Sequence, residues 1–153
     1  MTTDIEGALV GEGLHIGIAV ASWNRSITER LLDGAKRRCD ELGVATVTVA
    51  HVAGALELPV TALALVRLGC DAVVAIGAVI KGETEHFDIV TRESSSGLSK
   101  VAIETGVPVA NAILAVHDPE HAIERSGAGP TNKGREAVDA AVATANTLAD
   151  LRG

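Results

Sequence analysis

The chain has almost no aromatic residues: one Trp, one Phe and no Tyr in 153 residues. Its core is therefore built almost wholly from Ala, Val, Leu and Ile, and this length suffices for one domain with a sizeable core. Cysteine is scarce too. Cys39 and Cys70 form no C-x-x-C pair and no ligand-like spacing, so two buried, reduced thiols are expected rather than a disulfide or a metal site. Long apolar runs are missing: "AVVAIGAVI", Ala72–Ile80, is about half of the roughly 20 residues that a membrane helix needs, and it reads as a buried strand. A basic stripe is missing as well. The net charge is −7, and the one local cluster, Lys36–Arg38, reads as a solvated helix face. Neither nucleic acid nor membrane is an expected partner, and an anionic ligand has to be held by a few specific groups. The opening "MTTDIEGALVGEGLH" lacks the basic start and apolar centre of a secretory signal, so the cytoplasm is the expected location.

What is present is alternation. Apolar, β-rich segments near Ile16–Ala21, Ala45–Val52, Ala72–Val79 and Pro108–Ala115 alternate with helical patterns near Ser26–Leu42, Pro59–Leu68, Phe87–Thr105, Pro119–Arg125 and Lys133–Leu151. This predicts a parallel α/β layer fold. In the first helix Ile27, Leu31, Ala35, Cys39 and Leu42 form one stripe that must face the sheet, and Gly43 ends it. Asp118-Pro119 reads as an N-cap followed by proline at the first helical position. Residues 1–13, with Gly7, Gly11 and Gly13, are expected to be a flexible arm, and residues 14–153 a single domain.

Ligands of open α/β sheets bind at the carboxyl ends of the strands, so the segments that follow each strand carry the functional reading. They are "SWN", "VAGALELP", "VIKGETEHFD" and "VHDPEH". Trp23 is either a lid over the sheet edge or a face on which a flat heterocycle stacks. Glu57, at a helix start, is either a carboxylate placed on the helix dipole or an acceptor for a polyol, and Gly54 suits close backbone approach. "KGETEH", Lys81–His86, precedes a helix whose free N–H groups favour an anion such as phosphate; His86 at its mouth is a structural histidine or a proton shuttle. The i, i+4 pair His117 and His121 is not read as a metal site, because Pro119 makes the segment a cap that offers one helix face. No Walker loop, dinucleotide fingerprint or Ser-His-Asp order is present.

Taken together, Trp23-Asn24 followed by "IT", "GALELP", "GAVIKGETEHFD", "ETGVPVAN" and "AIERSG" followed by "NKG" resemble the lumazine synthase family over about Ile16–Leu151. The resemblance implies a three-layer α/β sandwich with a four-stranded, parallel, flavodoxin-like sheet. It implies a transferase of riboflavin biosynthesis that uses no cofactor and no metal. The reaction joins 5-amino-6-(D-ribitylamino)uracil to 3,4-dihydroxy-2-butanone 4-phosphate, giving 6,7-dimethyl-8-ribityllumazine, phosphate and water. It further implies that Trp23, beside Asn24, stacks on the pyrimidinedione, that backbone of Ala78, Val79 and Ile80 reads its polar edge, and that Glu57 with backbone of Gly54, Ala55 and Leu56 holds the ribityl chain. Gly82, Glu83 and Thr84 match the phosphate loop, and His86 the proton-transfer residue. Arg125 matches a phosphate clamp from the neighbouring subunit of a pentameric ring, with Lys133 close by and Asn111 in the wall. The short "SGAGPT" before Asn132 suits an icosahedral shell of such pentamers, and riboflavin synthase is a further expected partner. Three positions depart from the commoner pattern: Asn111 and Trp23 stand where many members carry Phe, and Lys81 where Arg is usual. A non-catalytic flavin or lumazine carrier on the same scaffold is the alternative; the joint presence of His86, Arg125 and Lys133 favours the enzyme, because a carrier of an unphosphorylated ligand needs neither clamp nor acid-base group.

Overall fold

The computed structural model describes residues 1–82 and 86–153. Strands β1 (His15–Ala21), β2 (Thr46–Val52), β3 (Ala72–Ile80) and β4 (Val109–Val116) form one parallel sheet in the order β2-β1-β3-β4. Helices α1 (Arg25–Glu41) and α5 (Lys133–Arg152) cover one face, and α2 (Leu58–Leu68) and α3 (His86–Thr105) the other. A short helix, α4 (Pro119–Glu124), leads from β4 towards α5, and a 3₁₀ turn, Ala55–Glu57, precedes α2. This is the expected three-layer sandwich, and each strand and helix begins and ends within one residue of its expected place.

The two faces of the sheet follow the two-residue period of a strand. Ile16, Ile18 and Val20 of β1, with Val74 and Ile76 of β3 and Leu114 of β4, pack under α1 and α5 together with Leu31, Ala35, Cys39, Val138 and Val142. The intervening positions are smaller along β1 and in the middle of β3, between Val73 and Val79. Gly17, Ala19 and Ala21 of β1 and Ala75 and Gly77 of β3 face α2 and α3; a Cβ on Gly17 would stand 3.0 Å from the Cys70 sulfur and 3.1 Å from Leu65 Cβ. Helices on this face lie so close to the sheet that aliphatic side chains fill the gap, which accounts for a core without rings. The stripe predicted for α1 is buried at Ile27, Leu31, Ala35 and Cys39, and Gly43 follows the helix with φ +75°, a left-handed conformation that glycine adopts without strain.

On the other face α1 and α5 meet through Asn132, which is 1% exposed. Its Nδ2 lies 3.1, 3.3 and 2.9 Å from the carbonyl oxygens of Arg30, Ser126 and Gly127, and its Oδ1 accepts from Arg135 N at 3.0 Å as the N-cap of α5. A Cβ on Gly34 would collide with this amide, and one on Gly134 with the Leu31 carbonyl. Outside this contact Arg38 bonds Asp139 at 2.6 Å and Glu41 at 3.0 Å, and Arg135 bonds Glu41 at 2.6 Å. Residues 1–13 carry no helix or strand. Of these, residues 7–10 lie along α5, where Asn146 Nδ2 donates to Ala8 O and Val10 O and Gly7 N donates to Thr147 Oγ1. Among the described residues no helix is long and apolar enough to cross a membrane.

Candidate functional site

The sheet order makes the carboxyl ends of β1 and β3 a switch point, because the chain leaves β1 towards β2 and returns to β3 on its other side. The two strands end unevenly. The pairing of β1 with β3 stops at Val20 opposite Ile76, whereas β3 continues to Ile80. Asn24 closes the gap: its Nδ2 donates to Ala78 O at 2.8 Å. It adopts φ 61°, ψ 46°, a left-handed conformation that Asn tolerates better than most side chains, and serves as N-cap of α1 through its backbone carbonyl, which accepts from Ile27 N and Thr28 N. Backbone groups alternate direction along a strand. Lys81 N donates to Val116 O on the β4 side, so Ile80 shares with Ala78 the side that faces the cleft.

A cleft of about 300 Å³ opens here, lined by Ala21, Trp23, Asn24, Gly54, Ala55, Leu56, Glu57, Ala78, Val79, Ile80, His86 and Val90. Ten of these twelve were expected from the sequence; Ala21 and Val90 were not, being small or aliphatic residues that read as core. Trp23 is 63% exposed, so it is no buried lid. Its backbone N donates to Ala53 O at 3.0 Å. At Gly54 the chain passes close to Trp23. The Gly54 backbone is extended, φ −136°, ψ −178°, and the group that its missing Cβ would meet is the Trp23 indole rather than open ligand space. Glu57 ends the 3₁₀ turn and occupies the N-cap of α2, yet its carboxylate caps no backbone N–H. It is half-buried on the cleft wall. His86 is the first residue of α3.

Arg125 and Lys133 lie elsewhere in the chain. They line a second cleft of about 870 Å³, beyond the edge strand β4, with His117, His121, Glu124, Thr131 and Glu136 among its other walls. Lys133 N donates to Arg125 O at 2.9 Å, so the two cations are joined through the backbone across the 126–132 loop that Asn132 anchors. Their side chains are lightly held: Arg125 Nη1 donates to His121 O at 3.3 Å, and Lys133 Nζ lies 3.5 Å from Glu136 Oε1. Phe87 packs against His117 with ring centroids 5.4 Å apart. Asn111, exposed on β4, lines neither cleft; its amide donates to Ser95 Oγ at 3.0 Å and its carbonyl accepts from Ile113 N at 2.8 Å. Gly82 is exposed after β3 and lines neither cleft, while Glu83 and Thr84 lie outside the described residues. His117 and His121 join no cluster of three metal-ligating side chains among the described residues. Asn132 went unnoticed as a site-building residue; the one signal for it was an Asn standing as N-cap before the last helix.

A model of the family described as 6,7-dimethyl-8-ribityllumazine synthase matches residues 13–149. Relatives named 6,7-dimethyl-8-ribityllumazine synthase include that of Streptomyces avermitilis, 44% identical over 137 residues, which cover 88% of this chain and 85% of the relative. That of Mycolicibacterium gilvum is 42% identical over 146 residues, 94% of this chain and 91% of the relative. That of Kineococcus radiotolerans is 44% identical over 145 residues, 94% and 88% respectively. With its sheet order, its switch-point cleft and this match along nearly its whole length, the chain belongs to the 6,7-dimethyl-8-ribityllumazine synthase family.

Proposed function

We propose that the protein condenses 5-amino-6-(D-ribitylamino)uracil with 3,4-dihydroxy-2-butanone 4-phosphate to 6,7-dimethyl-8-ribityllumazine, phosphate and water, as a cytoplasmic enzyme of riboflavin biosynthesis. The observation that carries this reading is the convergence of Trp23, Asn24, Gly54–Glu57, Ala78–Ile80 and His86 on one cleft at the switch point. The exposed indole stacks on the pyrimidinedione. Backbone of Ile80, on the cleft side and beyond the end of β1, meets the polar edge of the ring, while the Ala78 carbonyl is already committed to Asn24. Glu57 accepts hydroxyl groups of the ribityl chain.

The ring amine attacks the ketone and water leaves as the imine forms; a proton is lost, phosphate departs, and the ribitylamino nitrogen closes the second ring with loss of further water. His86 moves protons in these steps, and positioning supplies much of the rest. A phosphate needs cations, and Arg125 and Lys133 line a different cleft of the same chain. The site is therefore shared: Arg125 and Lys133 of one subunit reach the switch-point cleft of the next, and Asn111 adds to the wall. A head-to-tail contact of this kind closes into a ring, here a pentamer. The short 126–132 loop suits further packing of pentamers into a shell, which riboflavin synthase would join as partner. Mixing the protein with both substrates and following lumazine absorbance is the test; a rate no higher than that of the substrates alone overturns the reading.

A further inference from the structure

Gly54 has no conformational reason to be glycine, since extended backbone at φ −136°, ψ −178° accommodates any residue. Its reason is steric. A Cβ built there would lie 2.5 Å from Trp23 Cε3 and 2.6 Å from Cζ3, against an ordinary carbon contact of about 3.5–4.0 Å. Both atoms belong to the six-membered ring of the indole. The backbone on either side of this ring is also tied down, since Trp23 N donates to Ala53 O, the carbonyl next to Gly54, and the neighbouring Asn24 side chain donates to Ala78 O. The ring is thus held at its root by two strand ends and along one edge by Gly54, while the residue stays 63% exposed.

We propose that Gly54 is a positioning residue: lacking a Cβ, it seats the six-membered ring of Trp23 and so fixes the plane against which a flat heterocycle is held. This rests on the reading of the cleft as the pyrimidinedione site, and it adds that affinity for the ring depends on a Trp–Gly pair rather than on Trp23 alone. A Cβ at residue 54 cannot be relieved by backbone movement without disturbing the Ala53 bond, so the indole has to move by roughly an ångström or more, enough to lose a stacking geometry. In the proposed reaction the pair serves the pyrimidinedione, and the phosphate is held by cations elsewhere. A phenyl ring at residue 23 lacks atoms at the Cε3 and Cζ3 positions, so the clash should vanish in a W23F background.

The test uses G54A, W23F and W23F/G54A. The chain has one Trp and no Tyr, so its near-ultraviolet circular dichroism reports this indole, with one Phe as a weak background. The expected results are a weakened indole band in G54A without substrate, and a KM for the pyrimidine substrate raised about 5- to 100-fold, the range of one lost base–aromatic stack. The KM for the four-carbon phosphate should stay within about twofold. In W23F the further change G54A should alter the pyrimidine KM by less than about twofold. An unchanged indole band in G54A, or an equal rise in KM from G54A in both backgrounds, overturns the proposal. Should G54A fail to fold, a folded W23F/G54A supports the seat, and failure of both overturns it. The band is read on the unliganded protein, so it decides the Trp–Gly pairing even if the wild type forms no lumazine, whereas an active wild type with an unchanged band removes only the pairing.

Discussion

Replacing Asn132 tests whether the loop that carries Arg125 and Lys133 depends on one amide. Asn132→Ala removes the N-cap of α5, which costs about 0.5–2 kcal/mol. It also strips the buried Ser126 carbonyl of its donor, about 1–3 kcal/mol, and weakens two half-wet bonds to Arg30 and Gly127 by about 1 kcal/mol together, since two N–H groups shared among three carbonyls cannot serve all at full strength. The sum is about 2.5–6 kcal/mol, or a melting point lower by roughly 5–24 °C for a chain of this size. Thermal unfolding at one fixed protein concentration reads it, because the proposed ring would make the melting point depend on concentration. Asn132→Asp separates the two halves of the side chain. It keeps an acceptor for Arg135 N and adds a favourable charge at a helix start, but it turns a carboxylate towards three carbonyl oxygens. Asp should therefore be no better than Ala. An Asn132→Asp protein as stable as the wild type would show that capping alone matters and that the donor bonds carry no weight. In both variants the KM for the phosphorylated substrate should rise, since the Lys133 N to Arg125 O bond closes across the same loop.

His86→Ala should lower kcat by about 10-fold or more and leave both KM values within about twofold in steady-state lumazine formation. Glu41 is held below its ordinary value of 4.5, first by its bond from Arg38 and then by that from Arg135, so its support of the α1–α5 contact is present above pH 4.5 and is lost as pH falls through the lowered value; Glu41→Gln should flatten this acid limb in urea titrations. Burial pushes the Cys39 thiol up from 9.0 to about 11, so the unfolded chain loses this proton first, and stability should fall by about 2–3 kcal/mol between pH 9.0 and 11, a slope that Cys39→Ala should reduce. The same thiol, 0% exposed, should resist alkylation until the protein is unfolded.

The central strands β1 and β3 were legible because each buries both faces and reads as a short apolar run, the edge strands β2 and β4 because they are β-rich segments between helical patterns, and the helices because their stripes and stop signals agree, as at Ile27–Cys39 with Gly43. The 3₁₀ turn Ala55–Glu57 was not, since three residues show no period. Most residues that line the switch-point cleft were singled out by their place after strands and by resemblance. Their partners were not. That Asn24 bonds Ala78, 54 positions away, depends on how far β3 outruns β1, and nothing local encodes the register of two parallel strands joined by long crossovers. Asn132 shows the same limit: its cap bond to Arg135 is three residues away and readable, whereas its bond to Arg30 spans 102 positions. Gly54 was singled out for close approach of a ligand, and the sequence could not say that the protein's own indole packs against it.

The scarcity of rings and the placement of Trp23 have one physical cause. On the α2/α3 face the sheet presents Gly17, Ala19, Ala21, Ala75 and Gly77 beside Val73 and Val79, and α2 settles close enough that a Cβ on Gly77 would stand 3.3 Å from Leu58 Cδ1, while α2 and α3 meet so closely that a Cβ on Gly97 would stand 2.7 Å from Pro59 Cγ. An aromatic ring between these layers would force them apart, at about 1–3 kcal/mol for even modest overpacking. The indole is accommodated past the end of β1, where β3 runs on paired with β4 alone. The same uneven ending frees the Ile80 backbone from strand pairing on that side, so the one large π face and a free stretch of strand edge arise at the same place. A thin, ring-free core thus leaves the strand ends as the place where a planar group can lie against an aromatic face and a backbone edge together, as the proposed function requires.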